Sequence, residues 1–328
     1  MTKPKVRICA LDSNSGPHIE VLEAGGFEVL PGHRTVSGWT EDEVQQTIQG
    51  CNAVIAGAEP YTAAILEATP GLRTIVRTGV GFDAIDVDAC DRLGIVVMTT
   101  PGVNHESVAE MAIAMIMGIG RGFPQLDMKV RRGDWRRSFP PRVMGTTLGV
   151  AGLGRIGRAT VIKAVGVGMK VVACEPFPDQ EFCRKWNIEL MNFEDMLRTS
   201  DYVSLHSPLI PETHHMMNER TFALMKPGSV LINTSRGGLV DEPALVAALQ
   251  SGHLRAAGLD VFEVEPLPMD SPLIQMENVM LAGHVAGTDL EARRDSQRMA
   301  AELIVALKNG DWPAHAIQNK TLTSDWKW

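Results

Sequence analysis

Three side chains of complementary chemistry, Arg236, Glu265 and His284, each lie at or just after the end of a short apolar segment. The segments are Ser229-Val-Leu-Ile-Asn-Thr-Ser-Arg236-Gly, Gly258-Leu-Asp-Val-Phe-Glu263-Val-Glu265-Pro and Val279-Met-Leu-Ala-Gly-His284-Val-Ala-Gly. A guanidinium binds a carboxylate through two parallel hydrogen bonds, and an imidazole supported by a carboxylate exchanges a proton near neutral pH. Brought together, these groups could bind a 2-keto acid and protonate its carbonyl oxygen, so the sequence predicts an enzyme.

Taken alone, each of the three residues has another interpretation. Glu263 lies in the same short segment as Glu265 and could support the imidazole instead. Arg236 could form a surface ion pair, and His284 is one of nine histidines. Position favours the chemical interpretation, because Arg236 and His284 both precede turns that contain glycine and would let a ligand approach the backbone.

A glycine-rich motif lies upstream of the three segments. Residues 148–158, Leu-Gly-Val-Ala-Gly152-Leu-Gly154-Arg-Ile-Gly157-Arg, contain Gly-x-Gly-x-x-Gly directly after an apolar segment and before a helix-like one. In this pattern Gly152 allows a tight turn, Gly154 lets the backbone approach a pyrophosphate, and Gly157 lets the helix pack on the strand. The alternative is an ordinary turn followed by a surface acid.

The acid of this motif is Glu175, which lies 18 positions beyond Gly157 at the end of the next apolar segment. An acid in that position binds the adenosine ribose hydroxyls and repels a 2′-phosphate. The sequence therefore predicts an NAD site, with NAD favoured over NADP.

Composition excludes several other classes of protein. A length of 328 residues exceeds what one core usually serves, so two domains are expected. The net charge of -8 argues against a nucleic-acid partner, and the apolar segment Val108–Met117 is too short to cross a bilayer. The five cysteines are odd in number and lack CxxC spacing, which, with no signal peptide, favours a cytoplasmic protein without disulfides or a metal site.

Apolar segments alternate with helix-like segments in two series, which predicts an α/β fold of two doubly wound, Rossmann-like units. The first series spans Val6–Leu11 to Ile95–Met98, and the second begins at Leu148 and ends at Val279–Leu281. Two connectors are expected. One begins a helix with a capping box over residues 107–110, Ser-Val-Ala-Glu, and the other, residues 289–308, returns the chain to the first domain.

With these motifs, the chain resembles the D-isomer-specific 2-hydroxyacid dehydrogenase family, from residues 77–83 (Arg-Thr-Gly-Val-Gly-Phe-Asp) to residues 313–319 (Pro-Ala-His-Ala-Ile-Gln-Asn). The likeness is to the short phosphoglycerate and hydroxypyruvate dehydrogenase branch, without its additional C-terminal regulatory domain. The resemblance implies a discontinuous, flavodoxin-like substrate domain of residues 1–100 and 288–328, and an inserted NAD domain of residues 101–287. It also implies a homodimer.

The resemblance also implies a role for individual residues. The family motif places the acid directly before proline, which selects Glu265 over Glu263 as the partner of His284. The implied cofactor-binding residues are those of the glycine loop, the ribose acid and the later strand ends: Gly152, Gly154, Arg155, Ile156, Gly157, Glu175, His206, Ser207, Pro208, Thr234, Ser235, Asp260, Ala286 and Gly287. His206 is expected to contribute backbone rather than a proton. The implied substrate-binding residues are Arg77, Gly79, Val80 and Gly81, together with Arg236 and His284.

The expected function is NAD-dependent interconversion of a small 2-keto acid, of the hydroxypyruvate, glyoxylate or 3-phosphoglycerate type, and its D-2-hydroxy acid. The alternatives are an NAD-sensing corepressor and a phosphite dehydrogenase; formate is disfavoured because Glu265 is not a glutamine. Residues 129–137 hold five cations, which with Arg77 could meet a second anionic group on the substrate. A solvated or dimer-interface loop is the equal alternative.

Overall fold

The computed structural model describes residues 2–10, 14–32 and 38–328, so Leu11, at the end of the first apolar segment, lies outside the described residues. The chain divides into two compact units, Met1–Asn104 with Thr288–Trp328, and His105–Gly287. We call them the first and the second unit. The assignment of substrate binding to the first unit stays a prediction.

Strands and helices alternate along most of the described chain. The strands are β1 (Lys5–Ile8), β2 (Glu28–Leu30), β3 (Ala53–Ala56), β4 (Thr74–Arg77), β5 (Val96–Thr99), β6 (Thr147–Ala151), β7 (Lys170–Cys174), β8 (Glu189–Leu190), β9 (Tyr202–Leu205), β10 (Ser229–Asn233), β11 (Leu254–Leu259) and β12 (Val279–Leu281). The helices are α1 (Pro17–Ala24), α2 (Glu41–Ile48), α3 (Ala63–Glu67), α4 (Val87–Leu93), α5 (His105–Gly120), α6 (Phe123–Arg131), α7 (Arg155–Gly166), α8 (Gln180–Lys185), α9 (Phe193–Thr199), α10 (Glu219–Leu224), α11 (Glu242–Gln250), α12 (Pro272–Gln275) and α13 (Leu290–Lys308).

The first unit is built on a parallel sheet with the order β2-β1-β3-β4-β5. This order is that of flavodoxin-like folds. The last long helix, α13, covers one face of this sheet and places Ala300, Ile304 and Leu307 in the core that contains Val6. Asp289 caps the helix by accepting a hydrogen bond from the Ala292 amide at 2.7 Å.

The second unit holds a parallel sheet with the order β12-β11-β10-β9-β6-β7-β8. The order of strands reverses at β6, which lies between β7 and β9, and this arrangement is that of Rossmann folds. Ligands of such sheets bind beyond the carboxyl ends of the strands at the reversal. The predicted fold class, two doubly wound α/β units, is confirmed.

Helix α5 packs on α7 and on β10 and β11, and half of its residues are buried, which accounts for its nearly continuous apolar sequence. Its start differs from the prediction. The helix begins at His105, so Ser107 lies inside the first turn and the expected capping box is wrong. None of the helices in the described ranges is both long and apolar enough to cross a membrane.

Candidate active site

The glycine loop between β6 and α7 leaves room that a side chain would fill. Gly152 has a φ of 100°, and a Cβ there would lie 2.8 Å from the His206 carbonyl oxygen. A Cβ on Gly157 would lie 2.0 Å from the Gly152 carbonyl oxygen, whereas nothing lies within 4 Å of one on Gly154. The first amides of α7, including those of Arg155 and Ile156, point toward this open side because no preceding turn accepts from them. The loop therefore fits a pyrophosphate.

The ribose acid predicted from the sequence is fixed against this loop. Glu175 accepts a hydrogen bond from the Leu153 amide at 2.7 Å through Oε2 and one from the Phe177 amide at 3.0 Å through Oε1. Arg158 donates to the Leu153 carbonyl at 2.9 Å and to Asp179 Oδ2 at 2.9 Å. The backbone N–H and the backbone C=O of Leu153 are thus both hydrogen-bonded to side chains. Arg158 is a supporting residue that the sequence analysis missed.

The segment after β9 lies directly beside the glycine loop. The His206 amide donates to Ala151 at 2.8 Å, and Ser235 Oγ donates to the Ser207 carbonyl at 2.7 Å, which ties residues 206–208 to the end of β10. The His206 ring contacts Ser204 Oγ at 2.9 Å. Its removal from water lowers the pKa of His206 from 6.5 to about 4, so the ring is neutral at pH 7 and is not poised to carry a proton.

Thr234, just beyond β10, carries a buried hydroxyl that has no hydrogen-bond partner among the described residues. Buried polar atoms are nearly always paired, so an orphaned one at a strand end indicates a ligand group. Together with the open glycine loop, this hydroxyl is the observation that fits a bound dinucleotide.

Arg236 is carried by a turn that Asn233 organises. The Asn233 side chain accepts from the Ser235 amide at 3.1 Å and donates to the Arg236 carbonyl at 2.8 Å. The turn lies so close to the next strand end that a Cβ on Gly237 would come within 1.9 Å of the Phe262 carbonyl. The sequence analysis assigned no role to Asn233, although a side-chain amide at a strand end before a turn is a recognisable signal for one.

His284 has a left-handed backbone conformation, with a φ of 56°, and its turn is built on Asp260. The His284 amide donates to the Asp260 carbonyl at 2.7 Å, while the Asp260 carboxylate accepts from the Val285 and Ala286 amides, each at 2.9 Å. Burial raises the pKa of Asp260, and these two amide hydrogen bonds oppose the rise. Each oxygen keeps a second lone pair, so the predicted contact with a carboxamide stays a prediction.

The imidazole of His284 meets the carboxylate of Glu265. His284 Nδ1 lies 2.7 Å from Glu265 Oε2, and Glu265 Oε1 accepts from the Phe262 amide at 3.0 Å. Burial tends to raise the pKa of Glu265, but the hydrogen bond and charge of His284 outweigh it, so the pKa falls below the usual value. The carboxylate is therefore ionised, and 39% of the His284 side chain remains accessible for a reactant.

Glu263, the alternative acid, contacts a different histidine. Its Oε1 pairs with His215 Nε2, and its amide donates to Glu242 Oε1 at 2.7 Å. Of the two candidate acids, Glu265 is therefore the one that contacts His284. The charge of Arg236 also acts on Glu265.

In the first unit, the predicted substrate turn follows β4. The Gly79 amide donates to Thr100 Oγ1 at 2.7 Å, and its carbonyl accepts from the Thr100 amide at 3.0 Å. No group in the described ranges accepts from the amides of Val80 and Gly81. The turn therefore has two amides available for an anion, and Gly79 contributes its shape rather than a donor.

The comparisons with known proteins agree on one family of enzymes. The profile of "D-isomer specific 2-hydroxyacid dehydrogenase, NAD binding domain" matches residues 113–286. A glyoxylate reductase of Korarchaeum cryptofilum is 39% identical over 310 residues, which cover 90% of this chain and 93% of that protein. A D-3-phosphoglycerate dehydrogenase of Methanocaldococcus jannaschii is 35% identical over 317 residues, 95% of this chain and 59% of that protein.

Among solved structures, the D-lactate dehydrogenase from Aquifex aeolicus complexed with NAD and lactic acid superposes with a TM-score of 0.84. It is 28% identical in sequence, and the match covers 97% of this chain and 100% of that one. These findings confirm the resemblance stated from the motifs, the class of enzyme and NAD as the cofactor.

Proposed function

The chain belongs to the D-isomer specific 2-hydroxyacid dehydrogenase family, and we propose that it reduces a small 2-keto acid with an uncharged side chain, such as glyoxylate or hydroxypyruvate. The observation that carries the proposal is the contact between His284 Nδ1 and the ionised Glu265 carboxylate at 2.7 Å. This contact leaves Nε2 of the imidazole to exchange a proton with a carbonyl oxygen.

Three residues of the second unit, Arg236, His284 and Glu265, have separate roles in the proposed reaction. Bound NADH supplies the hydride. Arg236 binds the substrate carboxylate through its planar fork, which lysine could not replace. His284 donates the proton to the carbonyl oxygen from Nε2, and Glu265 stabilises the imidazole in its protonated form. In the oxidative direction His284 takes the proton back.

The turn after β4 in the first unit, residues 79–81, offers a separate place for an anion to bind. Successive backbone amides in a turn make a concave site for an anion, and the Val80 and Gly81 amides are the available donors. We propose this turn as a carboxylate-binding element.

The proposal that the substrate carries no second anionic group is supported by the surroundings of Arg77 and of the basic segment, residues 129–137. Glu59 is 3% exposed and accepts hydrogen bonds from the Gly57 amide at 2.7 Å and from the Tyr61 hydroxyl at 3.0 Å. Burial raises the pKa of Glu59, whereas these bonds and the charge of Arg77 oppose the rise. The Arg77 guanidinium also donates to the Thr78 carbonyl, so part of its hydrogen-bonding capacity is used within its own turn.

The basic segment supports the same choice. Arg131 pairs with Asp127 at 2.7 Å and Arg136 with Asp134 at 2.8 Å, so two of its five cations are engaged by neighbouring carboxylates. The glyoxylate reductase of K. cryptofilum is 39% identical to this chain, and the D-3-phosphoglycerate dehydrogenase of M. jannaschii is 35% identical.

We further propose that the enzyme is a cytoplasmic homodimer. Large apolar side chains of α6 and the segment after it are exposed, namely Phe123, Trp135 and Phe139. Several exposed aromatic side chains in one short segment are typical of a surface that another protein covers. A second copy of this chain is the proposed partner.

The experiment is a comparison of kcat/KM for glyoxylate, hydroxypyruvate and 3-phosphohydroxypyruvate, followed by the loss of NADH absorbance, in wild type and in His284→Ala. We expect a higher kcat/KM for one of the two compounds without a phosphate than for the phosphorylated one. We expect His284→Ala to lower kcat roughly 10²–10⁴-fold, the usual contribution of a positioned acid. A preference for the phosphorylated compound would overturn the substrate class, and unchanged turnover would remove His284 from the reaction.

A further inference from the structure

A second histidine–carboxylate pair lies two residues along the loop from Glu265. His215 Nε2 pairs with Glu263 Oε1, and both side chains are partly buried. His215 has a φ of 49°, an uncommon conformation for a residue with a side chain, and its amide donates to the Gly238 carbonyl at 2.9 Å. The reaction proposed above uses neither residue, although they lie beside its machinery.

Glu263 is held at three points. Besides its contact with His215, its amide donates to Glu242 Oε1 at 2.7 Å, and its Oε2 accepts from the Glu242 amide at 3.4 Å. Because Glu242 begins α11, these bonds attach the loop to the first turn of that helix. The Phe262 end of the loop is confined by the close approach of Gly237. The backbone that leads into Glu265 is therefore held at Phe262 and at Glu263.

The pair also balances charge. Burial raises the pKa of Glu242, and the nearby charges of Glu263 and Glu265 add to the rise, whereas the hydrogen bond from the Glu263 amide opposes it. A cation or donor on Glu263 reduces the repulsion among the three carboxylates. Without His215, Glu263 would lose its side-chain partner and the loop could move away from Glu242.

We propose that His215 and Glu263 form a positioning pair, which holds the 262–265 loop so that the Glu265 carboxylate meets His284 Nδ1. Neither residue touches the reactants. The proposal rests on the proposed function, since it assigns to the pair the geometry of the acid that supports His284. An ion pair that is about one-third exposed contributes little to the free energy of unfolding. We therefore expect the pair to affect the geometry of the site rather than the stability of the protein.

The test compares His215→Ala and His215→Gln with wild type and with His253→Ala. His253 is a matched control, because its ring contacts the Phe222 carbonyl at 2.9 Å in the same unit and has no part in the proposed site. We expect His215→Ala to lower kcat about tenfold, because a displacement of about 1 Å in catalytic groups can cost up to about 10²-fold. The KM for NADH and the urea midpoint should stay at the wild-type values. His215→Gln, which keeps a donor near Glu263, should recover part of kcat.

A readout independent of turnover separates this proposal from the proposed function. We expect the ¹⁵N NMR resonance of His284 Nδ1, which reports its hydrogen bond to Glu265, to shift in His215→Ala and to stay unchanged in His253→Ala. If wild type reduces no 2-keto acid but this resonance still shifts, the proposed function fails and the positioning pair stands. An unchanged resonance in His215→Ala would overturn the pair whatever happens to kcat, as would an equal shift in His253→Ala.

Discussion

Among single residues, His206 gives the clearest expectation for pH. Its pKa is lowered from 6.5 to about 4 because the ring is removed from water beside Ser204. Between these values the unfolded chain binds a proton that the folded chain does not. Stability is therefore expected to fall as the pH drops from about 6.5 to about 4, by about 1–3 kcal/mol for this group.

The measurement is urea unfolding at intervals across that window, in wild type and in His206→Gln. The glutamine side chain does not titrate, so the variant should show a shallower dependence of the free energy of unfolding on pH. If the two proteins lose stability in parallel as the solution is acidified, His206 is not the group responsible.

The proposed catalytic residues also show how much can be predicted from residue types and spacing. The pattern of segments was enough to predict Arg236, His284 and an acid from the 263–265 loop. Spacing alone did not separate Glu263 from Glu265, and the family motif was needed to select Glu265. In the structure Glu265 contacts His284, whereas Glu263 contacts His215, 48 residues earlier in the chain. Which of two neighbouring carboxylates contacts a histidine depends on the folded structure, and the spacing of residues along the chain does not determine it.

At the scale of elements, the packing of α7 against the end of β6 depends on Gly157. A Cβ there would lie 2.0 Å from the Gly152 carbonyl oxygen, and backbone cannot move aside as a flexible side chain can. Gly157→Ala should therefore destabilise the second unit by about 1–3 kcal/mol and weaken NADH binding at least about tenfold.

Gly166→Ala is the matched control, since Gly166 ends the same helix and a Cβ there meets nothing within 4 Å. It should leave NADH binding unchanged and stability unchanged or slightly higher. Fluorescence titration with NADH and urea unfolding measure both properties. Equal behaviour of the two variants would contradict the role given to Gly157.

Elements with a strong apolar pattern could be predicted from the sequence, and weak ones could not. The segment Val279–Leu281 coincides with β12, and Ile95–Met98 overlaps β5 over all but its first residue. The two-residue strand β8 was not predicted, because Glu189–Leu190 has no pattern and forms only by pairing beside β7. In α13, Leu290 is 68% exposed because it lies in the first turn, whereas Ala300, Ile304 and Leu307 further along the helix are buried.

For the whole molecule, the exposed aromatic segment predicts the state of association. A homodimer that covers Trp135 and Phe139 would separate if a charge were placed among them, since an unpaired buried charge costs several kcal/mol. Sedimentation velocity should show a dimer for wild type and a shift toward monomer for Phe139→Asp.

The matched control is Met269→Asp, a charge placed on an equally exposed apolar side chain outside that segment. It should sediment as wild type does. A monomeric wild type, or a dimer that Phe139→Asp leaves intact, would contradict the proposed interface.

The two hydrogen-bond donors that face Glu265 decide which side chain can serve there. One oxygen must accept from the Phe262 amide, so the other is left for His284 Nδ1. A carboxylate accepts on both sides, which keeps the ring proton on Nδ1 and lets Nε2 gain or lose its own. A glutamine would have to turn its oxygen to Phe262 and its NH₂ to the ring, forcing Nδ1 to accept and locking the remaining proton on Nε2. A glutamine would have nearly the same shape as Glu265, but it would hold the His284 ring in the Nε2–H tautomer. Replacing one carboxylate oxygen by an NH₂ group would therefore stop Nε2 from both donating and accepting a proton.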